Sequence, residues 1–341
     1  MRNHSGWCVG GRVARFAAAF LVVSAGAWGG YAQARMHSVR VATPQTLITE
    51  PDQGLTAIYN LIQSVKKTID MTMYELVDTQ AQTLLDQAAA NGVKVRVILD
   101  QNLERSSNQA AYDDLQSHGV QVVWAQTKYA ATHQKSIVID DTTAAVMTLN
   151  LTSRYYSSSR DFAVIESDAN DVNAIETTFN ADFSSQSITP PIGDSLVWSP
   201  TVSKADLVNL IGAAKVSLMV ENEELSYSTI VTALTSAAKR GVNVTLCMTD
   251  SSEWTANFNT LAKAGVHIST YAADAPLYIH AKVIVVDYGK SGAKAFVDSE
   301  NFSEASLTKN RELGLITTNA TILSKLNMTV VSDFSGGTPW K

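Results

Sequence analysis

Two copies of one spacing carry the chemistry this sequence offers: His133-x-Lys135-x4-Asp140 and His280-x-Lys282-x4-Asp287. Displacement at phosphorus needs a nucleophile on one side and a proton donor for the departing oxygen on the other. Two imidazoles can fill both places. Residues two apart on an extended chain share a face, so His133 points with Lys135 and His280 with Lys282. Asp140 and Asp287 have the opposite parity if the strand continues, which suits them to fixing the turn beyond it. Each copy is followed by a hydroxyl and an amide on a common face, Thr148 with Asn150 and Ser299 with Asn301. Eleven residues after each asparagine stands an acid, Asp161 in one case and Glu312 in the other. A carboxylate accepting from one imidazole nitrogen fixes the tautomer and frees the other nitrogen to attack. These acids could instead pair on the surface with the preceding Arg160 and Arg311, but their matching offset favours the orienting role.

The elements that must position these residues come in two sets. Asn60-Leu61-Ile62 recurs as Asn209-Leu210-Ile211, Glu75-Leu76 as Glu224-Leu225 and Gly92-Val93 as Gly241-Val242, all 149 residues apart, with the motif histidines 147 apart. A period this long means two like half-domains, not a solenoid. Apolar spacing predicts a helix over 55–66, a strand over 69–73, a helix over 79–91 stopped by Gly92, and a strand over 93–99. A helix over 110–118, a strand over 120–124, the motif strand over 135–139, strands over 144–148 and 162–165 and a helix over 171–183 complete the first half. The second half repeats the order through its motif strand at 281–286, and Thr189-Pro190-Pro191-Ile192-Gly193 is the expected linker. Strands alternating with helices give an α/β fold: two repeated half-domains, over 41–188 and 194–341, each a mixed β-sheet flanked by helices. Pockets in such sheets open at strand ends, which places the site at the interface of the halves. Glu75 and Glu224, at corresponding strand ends, are candidates for its rim.

Of the 341 residues 45% are hydrophobic, enough for two cores of ordinary size. The first 34 read as an export signal: Arg2, Arg12 and Arg15, an apolar run over 16–27, then Ala32-Gln33-Ala34. Its removal moves the net charge from −6 to −9 and points to a secreted or periplasmic protein. No later segment reaches the length of a membrane span. A net negative chain with no basic run is a poor binder of nucleic acid, which weighs against a nuclease. Cys247, the one cysteine left after residue 34, lies in an apolar strand and reads as core filler. His37, His118 and His267 stand outside the motifs and carry no expected catalytic duty. Tyr155-Tyr156, in a serine-rich loop, could meet a lipid head group or a base, although an ordinary exposed loop is the favoured account of them. No His/Cys/Asp cluster stands at metal-ligand spacing, so neither metal nor cofactor is expected.

The doubled His-x-Lys-x4-Asp motif with a trailing hydroxyl-x-Asn element resembles the phospholipase D superfamily, over essentially all of the chain after residue 34. That family's trailing Gly-Ser-x-Asn stands here as Met147-Thr148-Leu149-Asn150 and Asp298-Ser299-Glu300-Asn301, so both first-position glycines are replaced. The resemblance implies a metal-independent, two-step displacement at a phosphodiester. His133 would form a phosphohistidine and His280 would protonate the leaving alcohol and then activate water. Lys135, Lys282, Asn150 and Asn301 would surround the non-bridging oxygens, with Asp161 and Glu312 orienting and Asp140, Asp287, Thr148 and Ser299 supporting. The expected activity is an exported, monomeric phosphodiesterase that hydrolyses phospholipid head-group esters at a membrane surface. Two alternatives share the site: an endonuclease, and a transphosphatidylase of the cardiolipin synthase type.

Overall fold

The computed structural model describes residues 44–341, so the expected export signal and His37 lie outside the described residues. In the first half β1 (Gln45–Glu50) and α1 (Thr56–Gln63) precede β2 (Thr68–Met73), α2 (Thr79–Ala90), β3 (Lys94–Leu99), α3 (Arg105–Ser117) and β4 (Gln121–Trp124). The motif strand β5 (Ser136–Ile139) turns back into β6 (Thr143–Met147) and β7 (Ser159–Glu166), and α4 (Ala169–Phe183) follows. The second half runs β8 (Leu196–Ser199), α5 (Ser203–Ala213), β9 (Ser217–Glu221), α6 (Ser228–Lys239), β10 (Asn243–Thr249), α7 (Thr255–Lys263) and β11 (His267–Tyr271). Then come β12 (Tyr278–Ile279), β13 (Val283–Val286), β14 (Lys294–Asp298), α8 (Glu304–Thr308), β15 (Glu312–Thr317), α9 (Ala320–Gly336) and β16 (Thr338–Pro339).

Seven strands follow the same order in the two sheets, β1-β7-β6-β5-β2-β3-β4 and β8-β15-β14-β13-β9-β10-β11; β16 extends the second beyond β11, and β12 joins the first against β7. In each, three strands run parallel (β2, β3, β4 and β9, β10, β11) and the motif hairpin joins them antiparallel. Both sheets are therefore mixed, as the alternation of strands and helices predicts. Local signals set the helix ends. Asp78 accepts from Gln80 N and Ala81 N to cap α2, and Gly92 leaves it at φ +84°, a conformation that disfavours any residue with a Cβ.

Strand alternation divides the core. Ile137 and Ile139 of β5 face the helices of their own half, whereas Val138 turns into a core shared with the other half. In β13, Ile284 and Val286 turn outward and Val283 and Val285 inward. The inner faces of the two sheets meet in this shared core, which also takes in Trp198, Val172 of α4, Leu326 of α9 and Cys247. Burial pushes the Cys247 thiol well above its usual range, which keeps it an inert filler.

The halves are also tied by two crossing ion pairs. Arg160 sends Nε to Asp333 Oδ2 of α9 at 2.5 Å, and Arg311 pairs Nε with Asp182 Oδ2 of α4 at 2.8 Å. Both arginines are buried, at 5% and 1% exposure. Breaking such a pair leaves an uncompensated charge inside the protein. Arg311→Met should therefore lower unfolding free energy by about 3–5 kcal/mol. Asp182→Asn in the same background should recover part of that loss, and urea denaturation of both variants measures it.

Candidate active site

Register places the site. Tyr278 and Ile279 of β12 pair in parallel with Ser159 and Arg160 of β7, in the opposite half. Thr132 forms the corresponding bridge to Arg311. One residue further along each pairing, His280 comes level with Asp161 and His133 with Glu312. His280 Nδ1 lies 2.7 Å from Asp161 Oδ1, and His133 Nδ1 lies 2.8 Å from Glu312 Oε2. The acid of each half thus orients the histidine of the other, with Nδ1 donating and Nε2 left to face the cavity. The same crossing shortens the motif strand. His133 N and Gln134 N both donate to Arg311 O, so regular pairing in β5 begins only at Ser136. Arg160 and Arg311 are occupied by Asp333 and Asp182, and do not pair with Asp161 and Glu312.

A second layer holds the two acids. Thr148 Oγ1 donates to Asp161 Oδ1 at 2.5 Å and accepts from Phe162 N at 2.9 Å. In the second half Ser299 turns to Asp298 instead. Glu312 is held there by Ser306 Oγ at 2.5 Å and Asn310 Nδ2 at 2.9 Å. The repeat gives no sign of Ser306, which sits in α8 where the first half has only a 3-10 turn over Ser153–Tyr155. Asp140 and Asp287 stand away from the cavity at φ 53° and 50°. Each accepts three consecutive backbone N–H groups, from Lys66, Lys67 and Thr68 or from Lys215, Val216 and Ser217. Burial opposes ionisation of both, but those donors hold their carboxyls below the usual range.

The replaced glycines are explained by space rather than by φ. Met147 and Asp298 end extended strands with no positive φ. Each lies across from a small residue, Ala163 or Gly314. A Cβ on Gly314 would come within 2.1 Å of Asp298 Oδ2, so the bulk absent from β15 makes room for the aspartate.

One cavity of about 550 Å³ is lined by His133, His280, Asn150, Asn301 and Asp161. Its walls also include Tyr74, Tyr155, Tyr156, Tyr278, Glu50, Glu223 and Glu224; Glu75 instead pairs with Arg154. Lys135 and Lys282 are wholly buried behind the histidines, each donating to the carbonyl of its own motif histidine, at 2.6 and 2.5 Å. Burial, then Lys282, lowers the Lys135 ammonium to about 7. Burial, then Lys135, pushes His133 below its ordinary value, so its ring is neutral near pH 7 and suited to attack. Burial works to raise Glu312, but His133 and then Lys135 outweigh it and keep it a carboxylate. Glu223 belongs to neither motif and carries no signal in the repeat's shared residues. Its Oε2 takes Lys282 Nζ at 2.9 Å and lies 3.5 Å from His280 Nε2. Two groups of described residues could hold a metal, Asp86-Asp114-His118 and Asp70-Asp141-Glu176; none of these residues lines the cavity.

The family described as cardiolipin synthase, phospholipase D-like domain, matches residues 58–183 and again 207–333. The chain belongs to the phospholipase D superfamily. The two matches fall one in each half, over β2 to β7 and β9 to β15, and both histidine motifs of this phospholipase D-like protein fall inside them. The probable cardiolipin synthase YwiE of Bacillus subtilis is 28% identical over 157 residues, 44% of this chain and 31% of the relative. The chain thus spans about a third of the length of that curated relative. Among solved structures, phosphatidylserine synthase of Haemophilus influenzae superposes with a TM-score of 0.66 over 85% of this chain and 86% of that one, at 13% identity. Polyphosphate kinase of Porphyromonas gingivalis superposes with a TM-score of 0.68 over 84% of this chain and 46% of its own, at 15% identity. These two likenesses speak to the fold. Among the described residues no helix is long and apolar enough to cross a membrane.

Proposed function

We propose that the protein is a phosphatidyl-transferring phosphodiesterase acting on phospholipid. His133 Nε2 attacks phosphorus and forms a phosphohistidine, and His280 gives its proton to the departing head-group oxygen. His280 then takes a proton from an incoming alcohol, whose oxygen displaces His133. Water in place of the alcohol makes the same step a hydrolysis. The reciprocal histidine–carboxylate pairs on one cavity, backed by two buried lysines, carry this reading. Lys135, Lys282, Asn150 and Asn301 supply cation and amide donors for the charge that gathers on five-coordinate phosphorus. The cardiolipin synthase descriptions of the matching family and of the curated relative favour an alcohol acceptor over water.

Vesicles of labelled phosphatidylglycerol or phosphatidylethanolamine, with and without butanol, test the proposal. Phosphatidylbutanol should form at the expense of other products, and His133→Asn should form none. Cleavage of DNA or RNA without any lipid turnover would overturn it in favour of a nuclease.

The Lys135 ammonium is needed for charge stabilisation and is lost as pH rises through about 7. The alkaline limb of kcat/KM should therefore fall near pH 7, about tenfold per unit. Lys135→Arg retains its charge and should move that limb upward by more than a unit. A pH–rate profile of the two proteins decides it.

A further inference from the structure

Glu223 breaks the likeness of the two halves at the cavity. It stands 149 residues after Tyr74, just beyond the equivalent strand. Tyr74 and His133 pack in a T-shaped pair with ring centroids 4.5 Å apart, and the Tyr74 ring centroid lies 4.8 Å from Lys135 Nζ. Among the described residues no carboxylate reaches Lys135 at ion-pair distance. In the second half the matching carboxylate takes Lys282 Nζ at 2.9 Å, Asn301 Nδ2 at 3.3 Å and Tyr278 OH at 2.9 Å. It also lies 3.5 Å from His280 Nε2. A lysine ammonium, an asparagine amide and the free nitrogen of the acid histidine are the donors a phosphoryl oxygen would need. A carboxylate of the chain itself already holds them.

A bare phosphate diester can reach Lys282 only by expelling Glu223. That strands a partly buried carboxylate beside both the incoming anion and Glu224, which shares Asn301 Nδ2 at 3.2 Å. Unpaired charges in such surroundings are strongly disfavoured. A diester that brings its own cation avoids the penalty by exchanging ion pairs: Lys282 goes to the phosphoryl oxygen and Glu223 to the cation. Glu223 and Glu224 lie on the His280 side, where the leaving alcohol departs. We infer that Glu223 is a specificity-determining residue, filling the phosphoryl seat on Lys282 until a diester arrives whose leaving alcohol carries an ammonium group. The inference rests on the phosphatidyl-transfer reading for the side of the cavity on which the alcohol leaves.

Calorimetric titration with glycerophosphocholine and glycerophosphoglycerol at pH 7 tests it. The wild type should bind the choline diester at least tenfold more tightly. Glu223→Gln should bind glycerophosphoglycerol at least tenfold more tightly than the wild type does, and should lose the preference. Glu223→Tyr, which gives the second half the residue of the first, should lose it too and serves if the glutamine variant folds poorly. Equal binding of the two diesters by the wild type, or a preference unchanged in both variants, refutes the inference. Failure of the choline diester to bind the wild type refutes it as well. A choline preference that depends on Glu223, in a wild type that turns over no lipid, would overturn the transfer reading while upholding the role of Glu223.

Discussion

With a phosphatidyl ester of p-nitrophenol as donor, His280→Asn and Asp161→Asn should still release nitrophenol in a single burst. His133→Asn should release none. Nitrophenolate leaves without a proton, so the first displacement no longer needs the acid histidine, whereas the second still needs it to deprotonate the acceptor. Phosphohistidine should accordingly accumulate on the first two variants and be absent from the third. Glu312→Gln should resemble His133→Asn more weakly, slowing the burst by about 10²–10⁴-fold. Its carboxylate holds Nδ1 of His133 at 2.8 Å and stabilises the positive charge the ring gains when Nε2 bonds to phosphorus. The variants should therefore group as His133 with Glu312 and His280 with Asp161, each pair crossing the halves. Grouping of His133 with Asp161 would mean that each half orients its own histidine, and would refute the crossed geometry.

That crossing marks the boundary of what the sequence discloses. The motif residues, the equal offsets of Asp161 and Glu312, and the mixed sheets are all visible in the chain, because they repeat or obey a local period. Which acid meets which histidine depends on contacts 119 and 179 residues apart along the chain. It is set by pairing between β12 and β7 and by the Thr132–Arg311 bridge, short junctions with no local signature. Glu223 is a different kind of omission. Aligning the repeats places it opposite Tyr74, and a carboxylate facing an aromatic residue at a strand end was a readable signal. The motif lysines are the converse case, since their spacing predicts the shared face but not their complete burial behind the histidines. The support of Glu312 by Ser306 left no trace in the repeat, because Ser299 occupies the expected position and bonds elsewhere.

Buried, unmatched acids should lower stability as pH rises from 5 to 8, against the usual trend for proteins held by paired carboxylates. Several acids are buried without a cation to match. Burial, then Asp161, raises Glu50 to about 7; burial, then Asp171, raises Glu166 to about 7. Asp298 rises to about 8, chiefly through burial, and stands next to the equally buried Glu300 carboxyl, which burial and then Asp298 push up in the same way. The folded pKa of each exceeds its unfolded value near 4. Their contribution is therefore complete below pH 4 and is lost progressively up to the folded pKa, as the unfolded chain ionises and the folded chain cannot. Paired carboxylates such as Glu312 and Asp140 act in the opposite sense, losing their contribution only as pH falls below about 4. Asp298→Asn removes one ionisation while its Oδ1 can still accept from Glu300 N. Each tenfold difference in acidity between the folded and unfolded chain is worth about 1.4 kcal/mol. Discounted for relaxation of the site, the variant should gain about 2–4 kcal/mol over the wild type at pH 8. At pH 4 the two should be nearly equal. Urea unfolding of both proteins at the two pH values measures the difference, and a gain of the same size at pH 4 would show that packing against Gly314, not ionisation, sets the effect.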